Sequence, residues 1–417
     1  MNAQSLKKSP NTTKHKTQKI ALAGITKMGM SFLRHMQSRL QFEGDFPYTV
    51  TGVYDKVKTE HSGLKNHTIY NDVDTFLKET AADIIVDTQQ GVSASYDLVW
   101  AALNAGKHVV TNNAAMVAAH GEKLSKLAQA NQLHFKFSAA VLGGMPLVQN
   151  LQNGSESWYI SRIHGVLNSA CNYTLKRMRE RHIDQKEALS AAVELGYAHT
   201  NPDIDVSGKD TLYKLALLSA VSYGEWPNLK KAKVTPLDCV SLPDVKLAEQ
   251  LGYNIRHIGM ATSGTMYVGP MLMEENTLIG QMDGTLTGVV VDGDQIGSIF
   301  MAGYGADEHA LVASLTGDIF AISHGRPDVA IHRQAQKRKH KDRVIPRYFL
   351  RLPEGASDAV VKSGSIQSKS IDVIADALSG NQTGLIIETS MSKEDLTTWV
   401  YSHANQDESL ILDIFRE

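Results

Sequence analysis

The sequence lacks the features of a secreted or membrane-spanning protein. Only two cysteines occur in 417 residues, Cys171 and Cys239, too few for a disulfide framework, so we expect two free thiols in a reducing compartment. No uninterrupted apolar run approaches the ~20 residues that span a bilayer. The polar, basic stretch before Lys19 lacks the apolar centre of a secretory signal. These absences predict a cytoplasmic protein that does not contact a membrane.

Neither sign of charge is in excess, because 42 Lys and Arg residues face 44 Asp and Glu residues. A global field that attracts nucleic acid is therefore not expected. Residues 332–343 are rich in Lys and Arg, but no aromatic side chain stands between them to stack on bases. A solvated linker or helix face is the favoured interpretation of this run. We expect a small-molecule substrate and no nucleic-acid partner.

The length and pattern of the chain predict several domains. With 42% hydrophobic and 21% charged residues it is an ordinary globular sequence, and 417 residues suggest two or three domains. Apolar strands at 19–24, 48–54, 83–87 and 108–111 alternate with helical segments at 28–40, 96–105 and 119–130. Strands and helices that alternate in this way form right-handed βαβ units on a parallel sheet. We expect an α/β fold, with a Rossmann-type doubly wound sheet over 19–140 after a disordered tail at 1–18.

The pattern changes after Pro146. Amphipathic helices at 184–195 and 209–223 mix with strands such as 286–291, which predicts an α+β domain over 141–330. A basic linker at 331–344 leads to strands at 348–352, 383–389 and 410–415 and a helix at 393–403. This last part, 345–417, reads as a small βαββαβ unit.

The loop GITKMG at residues 24–29 follows the first strand and opens a helix, the place where a dinucleotide fingerprint belongs. Gly24 is suited to the tight turn and Gly29 to close packing of helix and strand. Thr26 replaces the glycine that normally admits the pyrophosphate. Its hydroxyl is a candidate donor to a phosphate oxygen at the positive helix end. The loop predicts dinucleotide binding with an imperfect motif.

Asp55 ends the second strand, where a carboxylate accepts hydrogen bonds from the adenosine ribose hydroxyls. Such a carboxylate repels a 2′-phosphate, so NAD is preferred over NADP, although Lys56 and Lys58 offset part of that repulsion. The alternative is a solvated turn carboxylate.

The most specific stretch is LGYAHTNPDIDVSGKDTLYKLA at residues 195–216. It resembles the signature segment of homoserine dehydrogenases. Further likeness lies in GKHVVTNN at 106–113, GGMP at 143–146, GVLNSACNY at 165–173 and the glycine-rich return from Gly303 to Ile319. The resemblance covers residues 19–330, and the C-terminal unit is similar to the ACT domain of many members. It implies reversible hydride transfer between NAD or NADP and a small hydroxy compound, most simply L-homoserine and L-aspartate 4-semialdehyde. It also implies that 141–330 is the catalytic and dimerisation domain of a homodimer.

Asp210 and Lys214 lie four residues apart with the acid first, which puts both on one helix face. A lysine beside a carboxylate in a closed cleft can relay the hydroxyl proton during hydride transfer. The alternative is an exposed salt bridge of ~0.3–0.5 kcal/mol. By resemblance Lys214 and Asp210 are the catalytic pair. The other expected site residues are Asp205, His199, Asn168 and Tyr197 for substrate, with Asn168 at the nicotinamide or substrate end, and Gly24, Thr26, Met28, Gly29, Asp55, Thr88, Asn113 and Gly305 for cofactor. No metal site is expected.

Several positions depart from the family pattern. Ala114 stands where the family has a lysine that reaches toward the site, and His199 where it has a glutamate that holds the substrate ammonium. The substrate loop reads Asn168-Ser169-Ala170-Cys171 in place of Asn-Gly-Thr-Thr, which by resemblance puts Cys171 in a pocket-facing strand. Ser138 replaces an acidic residue, and Ala310-Leu311 replaces Pro-Thr.

These departures leave two alternatives open. One is the same reaction on a hydroxy acid without an ammonium group, and the other is a catalytically silent relative that binds nucleotide. His199 is either a substrate or acid–base residue or a loop residue with no chemical role. Residues 353–357 (PEGAS) lack the Asp-x-Pro-Gly pattern of effector-binding ACT domains, so we expect a structural C-terminal unit.

Overall fold

The computed structural model describes residues 18–42, 47–57, 62–199, 201–326, 328, 346–353, 355–357, 371–404, 406 and 409–415. Residues 1–17 of the predicted tail, the basic linker and Lys58 lie outside these ranges. Gln18 was also predicted to belong to the tail, but it is the first residue of a strand. By internal contacts the chain divides into two compact units. The first holds residues up to Asn113 together with 123–136 and 315–326, and the second holds 114–122, 137–314 and the C-terminal part from residue 328.

The first unit contains a six-stranded sheet in which every neighbouring pair is parallel. Its order, β3-β2-β1-β4-β5-β6, is the strand order of a Rossmann fold, which confirms the predicted parallel sheet. The strands are β1 Gln18–Ala23, β2 Tyr48–Tyr54, β3 Ile69–Tyr70, β4 Ile84–Asp87, β5 His108–Thr111 and β6 Phe135–Lys136. The helices between them are α1 Lys27–Phe42, α2 Val73–Glu79, α3 Val92–Asn104 and α4 Ala114–Ala130, of which 114–122 belong to the second unit.

The strands of this sheet form where the sequence is apolar on both faces. All four residues of β4 are buried, as are the last four of β1, as expected for parallel strands covered on both sides. Each strand ends at a polar or small residue, and the loops at these carboxyl ends carry the dinucleotide motif.

The second unit is built on one mixed sheet of ten strands, which confirms the predicted α+β domain. Its main path runs β12-β11-β7-β9-β10-β16-β13-β15-β14, and β8 pairs separately with β10. The strands are β7 Ile160–Val166, β8 Lys233–Val234, β9 Tyr253–Thr262, β10 Thr265–Glu274, β11 Thr287–Gly293, β12 Gly297–Gly303, β13 Arg347–Pro353, β14 Ile371–Ser379, β15 Gln382–Thr389 and β16 Leu410–Phe415. The helices are α5 Leu147–Ser157, α6 Ser169–Arg181, α7 Gln185–Glu194, α8 Asp203–Val206, α9 Lys209–Tyr223, α10 Leu242–Gln250, α11 Glu308–Ser323 and α12 Lys393–Tyr401. Residues 315–323 of α11 belong to the first unit.

The C-terminal strands share the sheet of the preceding domain. β16 pairs in parallel with β10 through Met271 to Met273, and β13, β14 and β15 continue from it in antiparallel pairs. One core cluster joins Leu247 of α10 to Phe349, Ile386 and Leu412 of the C-terminal strands. Buried Arg351 of β13 donates to Asp244 of α10 at 2.8 Å. The strands and helix of the predicted βαββαβ unit are present where the chain is described, while its kinship to ACT domains and the separate boundary at 345 stay predictions.

Candidate active site

The dinucleotide loop of the first unit needs glycine at two positions. Gly24 has a φ of +102°, and a β-carbon there would lie 2.9 Å from the backbone nitrogen of Gln89. A β-carbon on Gly29 would lie 2.2 Å from the carbonyl oxygen of Gly24. Atoms cannot approach so closely, so any side chain at either position displaces backbone. Helix α1 therefore begins in contact with the end of β1, as the motif requires.

Thr26 closes this loop. Its hydroxyl oxygen accepts from Gly29 N at 3.1 Å, which is an N-terminal helix cap, and its hydrogen is directed to the carbonyl oxygen of Thr88 at 3.1 Å. The single hydroxyl hydrogen is thus used inside the loop. Donation to a phosphate, as envisaged from the sequence, requires the hydroxyl to turn away from Thr88. Met28 lies half-buried in the first turn of α1.

Asp55 also binds the loop. Its Oδ2 accepts from Ile25 N at 3.1 Å and its Oδ1 from Val57 N at 2.9 Å. The neighbouring Lys56 is exposed. The carboxylate therefore joins the end of β2 to the glycine loop, the position expected of a ribose-binding group, and it is more than a solvated turn residue.

Two further predicted cofactor residues tie the neighbouring strand ends to this loop. The Thr88 hydroxyl lies 3.1 Å from the carbonyl oxygen of Ala23 and 3.0 Å from that of Gly24. The Asn113 amide donates to the carbonyl oxygens of Gln89 and Gly91 at 3.2 and 2.9 Å.

Sequence reasoning missed Asp87, a fully buried carboxylate at the end of β4. It accepts from the hydroxyls of Ser95 and Thr111 and from Gln89 N. Burial raises the pKa of this carboxyl, and these hydrogen bonds oppose the rise. The signal was available, because an aspartate that ends an apolar strand next to the loop is a natural hub for its hydrogen bonds.

The predicted catalytic pair lies at the start of α9 in the second unit. Gly208 precedes the helix with a φ of +78°, a conformation that favours glycine. Lys214 Nζ donates to Asp210 Oδ2 at 2.7 Å and to the carbonyl oxygen of Leu167 at 3.1 Å. The two charged side chains are only 16% and 12% exposed. The pair is therefore largely buried, which contradicts the alternative of an exposed surface salt bridge.

Asn168 connects this pair to a second carboxylate. Its amide nitrogen donates to Asp210 Oδ2 and to Asp205 Oδ1, both at 2.8 Å, and its amide oxygen accepts from Cys171 N at 2.8 Å. Asn168 and Asp205 are 3% and 1% exposed. The predicted substrate residues Asn168 and Asp205 thus lie together with the catalytic pair.

His199 binds the outer side of Asp205. Its backbone N–H donates to Asp205 Oδ2, and its ring Nδ1 lies 3.0 Å from both carboxylate oxygens. This hydrogen bond raises the pKa of His199. Burial alone would raise the pKa of Asp205, but hydrogen bonds from His199 and Asn168 leave it lowered. His199 therefore shares the cluster while its side chain stays 58% exposed. Tyr197 is 42% exposed and packs against Tyr173, with ring centroids 5.0 Å apart.

The sequence-based placement of Cys171 in a pocket-facing strand was wrong. β7 ends at Val166, and Asn168 caps helix α6, which begins at Ser169. The cap bond from Cys171 N to the Asn168 side chain starts the helix there. Cys171 is fully buried, and burial followed by the charges of Asp205 and Asp210 raises the pKa of its thiol well above the usual value. A packing role is what this environment supports.

Gly305 lies in the second unit, within the glycine-rich return. Its N–H donates to Thr287 Oγ1 at 3.1 Å, and its carbonyl oxygen accepts from Gly143 N at 2.7 Å. A β-carbon on Gly305 would lie 2.7 Å from Thr287 Oγ1. Gly305 thus packs against the Gly143 turn. Within the described residues, no group of three or more His, Cys, Asp or Glu side chains is arranged to hold a metal ion, and no helix of that part is long and apolar enough to cross a membrane.

Comparison with known proteins finds matches to models of one family in both units. A family model described as homoserine dehydrogenase matches residues 146–320, and one described as its NAD binding domain matches residues 24–138. Two successive models of one family thus account for most of the chain. The chain belongs to the homoserine dehydrogenase family. It is an NAD(P)-dependent oxidoreductase of the class that acts on a CH–OH group, as the sequence predicted.

Individual relatives agree. A homoserine dehydrogenase of Helicobacter pylori is 27% identical over 342 residues, covering 80% of this chain and 81% of the relative. One of Pseudomonas aeruginosa is 33% identical over 244 residues, covering 58% and 56%. The crystal structure of a homoserine dehydrogenase from Thiobacillus denitrificans matches with a TM-score of 0.82 and 25% identity over 95% of this chain and 98% of that one.

Proposed function

We propose that the chain interconverts L-homoserine and L-aspartate 4-semialdehyde, with Lys214 transferring the hydroxyl proton and Asp210 orienting Lys214. The observation that carries this proposal is the pair of contacts made by Lys214 Nζ to Asp210 and Leu167. A neutral amine has two hydrogens, and these two acceptors use both. Its lone pair then points in the remaining direction, which is the geometry of a general base for a substrate hydroxyl.

The reverse direction uses the same geometry. A protonated Lys214 has a third N–H, for which no acceptor exists among the residues that the structure describes. This hydrogen is available to the carbonyl oxygen of an aldehyde as that oxygen gains charge. One group therefore serves as base for oxidation and as acid for reduction, and its hydrogen bond to Asp210 holds it in position.

The loop of the first unit fits a dinucleotide. Gly24 and Gly29 let the loop pack directly against neighbouring backbone, and the loop lies at the N-terminus of a 16-residue helix. Gly24, Thr26, Met28 and Gly29 would hold the pyrophosphate, Asp55 the ribose, and Thr88 and Asn113 the adjacent strand ends. Gly305 is assigned to the cofactor by family resemblance alone. When bound, the nicotinamide accepts or returns the hydride.

We propose NAD as the preferred cofactor, because Asp55 is an anion at the end of β2 and repels a 2′-phosphate. One structural relative, a hyperthermophilic archaeal homoserine dehydrogenase, is described in complex with NADPH. Titration of intrinsic fluorescence with NADH and NADPH tests the preference. Tighter binding of NADPH would contradict it.

The residues present support the type of reaction better than they support homoserine as the substrate. His199 and Ala114 stand where family resemblance implies a glutamate and a lysine, so the substrate ammonium lacks its carboxylate. The second candidate is thus a hydroxy acid without an ammonium group, and a third is a silent relative that binds nucleotide only. A steady-state screen of homoserine and related hydroxy acids with NAD⁺ and NADP⁺, beside the fluorescence titration, separates the three. Binding of NADH without turnover of any substrate would overturn the enzymatic proposal.

The remaining assignments are also proposals. We propose a homodimer in the cytoplasm, with the second unit as catalytic and dimerisation domain. We propose a structural role for the C-terminal strands, because they complete the sheet that carries the reaction cluster. Inhibition by millimolar threonine or methionine, lost on mutation within 346–357, would contradict that role.

A further inference from the structure

We propose that Asn168 is a positioning residue that holds Asp205 and Asp210 as a pair of anions and thereby fixes the position of Lys214. This inference rests on the proposed role of Lys214 as the proton-transfer group. It gives Asn168 a function different from contact with nicotinamide or substrate, which the family resemblance implied.

The orientation of the Asn168 amide is determined by its surroundings. Both amide hydrogens point to carboxylate oxygens at 2.8 Å, and the amide oxygen faces a backbone N–H at 2.8 Å. The flipped amide would place its oxygen against two carboxylates. The side chain is buried and every donor it has is used, so no amide hydrogen remains for a ligand.

The amide lies between two acid–base pairs. On one side Asp210 binds Lys214 at 2.7 Å, and on the other Asp205 binds His199 at 3.0 Å. Two carboxylates this close would repel each other or share a proton if nothing stood between them. The amide donates to both, and its hydrogen bond to Asp205 is among those that lower the pKa of that carboxyl. It also carries no titrating proton, so it links the pairs by position and field and not as a proton relay.

The backbone adds a second constraint from the same place. Leu167 O accepts from Lys214 Nζ, and the next residue, Asn168, donates to Asp210. Two successive residues at the joint between β7 and α6 therefore hold both members of the catalytic pair. A displacement of this joint moves the base and its partner together.

The test is the near-isosteric substitution Asn168→Asp, which replaces two donors by a third carboxylate. The ionisable groups around Lys214 are Asp210 of α9, Asp205 of α8, His199 in the loop before α8, the Cys171 thiol of α6 and His257 of β9. Added negative charge beside Asp210 stabilises the protonated lysine. We expect kcat to fall roughly 10- to 100-fold at neutral pH. We also expect the pH at which kcat rises to increase by about one unit or more, since one pH unit is a tenfold change in the protonation equilibrium of the lysine.

Asn172→Asp is the matched control. Asn172 lies one turn further along α6, is equally buried, and donates to the carbonyl oxygens of Met282 and Leu286. Its substitution adds the same charge and a similar packing cost beside Arg256, away from Lys214. We expect an altered melting temperature with the pH profile of kcat unchanged. Equal pH shifts in both variants would overturn the proposal, because the shift would then not depend on position.

Asn168→Ser keeps the helix cap and one donor, and it is measured in case the aspartate variant does not fold. We expect a smaller loss of kcat with NADH binding unchanged. Either Asn168 variant could instead have a lower melting temperature while kcat and its pH profile are unchanged. That result would show that Asn168 has only a structural role, and it would overturn the proposal. Full activity of Lys214→Ala would instead contradict the proposed role of Lys214 in proton transfer. Failure of the Asn168 proposal and failure of the proposed function therefore give different results.

Discussion

The dinucleotide loop of the first unit and the reaction cluster of the second are stabilised by different forces. In the loop, Gly24 and Gly29 bring backbone into contact with backbone, and the polar side chains that bind there, Thr26 and Asp55, take backbone partners. In the cluster, ionisable side chains bind one another: Lys214 with Asp210, and His199 with Asp205. The first site is determined by shape and the second by charge. Substitutions should therefore act through volume in the loop and through charge and pH in the cluster.

The largest effect is expected for Lys214→Ala, since general acid–base groups contribute about 10²–10⁴-fold to turnover. We expect kcat to fall by that factor while quenching of fluorescence by NADH is unchanged, because the loop lies in the other unit. Lys209→Ala, an exposed lysine at the start of the same helix, is the control. An unchanged kcat in the Lys214 variant would contradict the assignment of the reaction to the cluster of the second unit.

Gly29→Ala tests the loop by volume alone. The added β-carbon would lie 2.2 Å from a carbonyl oxygen, so the loop must shift at a cost of about 1–3 kcal/mol. We expect roughly a hundredfold loss of NADH affinity, equal at pH 6 and pH 9. The control Gly317→Ala adds the same methyl to an exposed position of α11 with nothing within 4 Å, and should stabilise the protein by up to about 1 kcal/mol. A loss of affinity that varies with pH would show that charge matters in the loop too.

His257, buried beside the cluster, tests the role of charge in stability. Burial lowers its pKa to about 4 from 6.5, so the unfolded chain binds a proton that the folded chain resists. Stability should be complete above pH 6.5 and fall by roughly 3 kcal/mol as the pH drops toward 4. Urea unfolding at pH 7.5 and pH 5 measures this, and His257→Asn should reduce the difference, whereas His182→Asn, at an exposed histidine, should not. Equal acid sensitivity of both variants would remove His257 as the cause.

The smallest effect is expected for the double substitution His199→Glu with Ala114→Lys. By family resemblance it restores a carboxylate for the substrate ammonium and a lysine for the site. A charged hydrogen bond contributes about 1.5–3 kcal/mol, or roughly ten- to a hundredfold in KM for homoserine, with cofactor affinity unchanged. The two changes should not be additive. A wild-type KM already below a millimolar would show that other residues bind the ammonium.

Local signals predicted the elements that position both sites. Helix α9 was predicted from Lys209 to Tyr223 and has these bounds, because Gly208 and Gly224 flank an apolar run and both adopt positive φ. β5 and β16 also have their predicted bounds. The four-residue spacing alone predicted that Asp210 and Lys214 lie close together.

What the sequence did not predict depends on long-range contacts. Asn168 caps the start of α6, and its amide binds Asp205 and Asp210, which lie 37 and 42 positions away. The pattern of residues 165–173 contains no information about these partners. The pairing of β10 with β16 joins strands from different predicted domains. Such pairings depend on which edges are free after the rest of the chain has folded, which a local pattern does not contain.

The junction of β10 and β16 also bears on the order of assembly during synthesis. Met271 to Met273 are made long before residues 413–415, their partners, so that edge of β10 has unpaired backbone groups while the intervening chain emerges from the ribosome. An open apolar edge recruits other strands. Nascent chains that carry β10 without β16 therefore present an open strand edge to other chains, and this pairing forms only after residues 413–415 have been made.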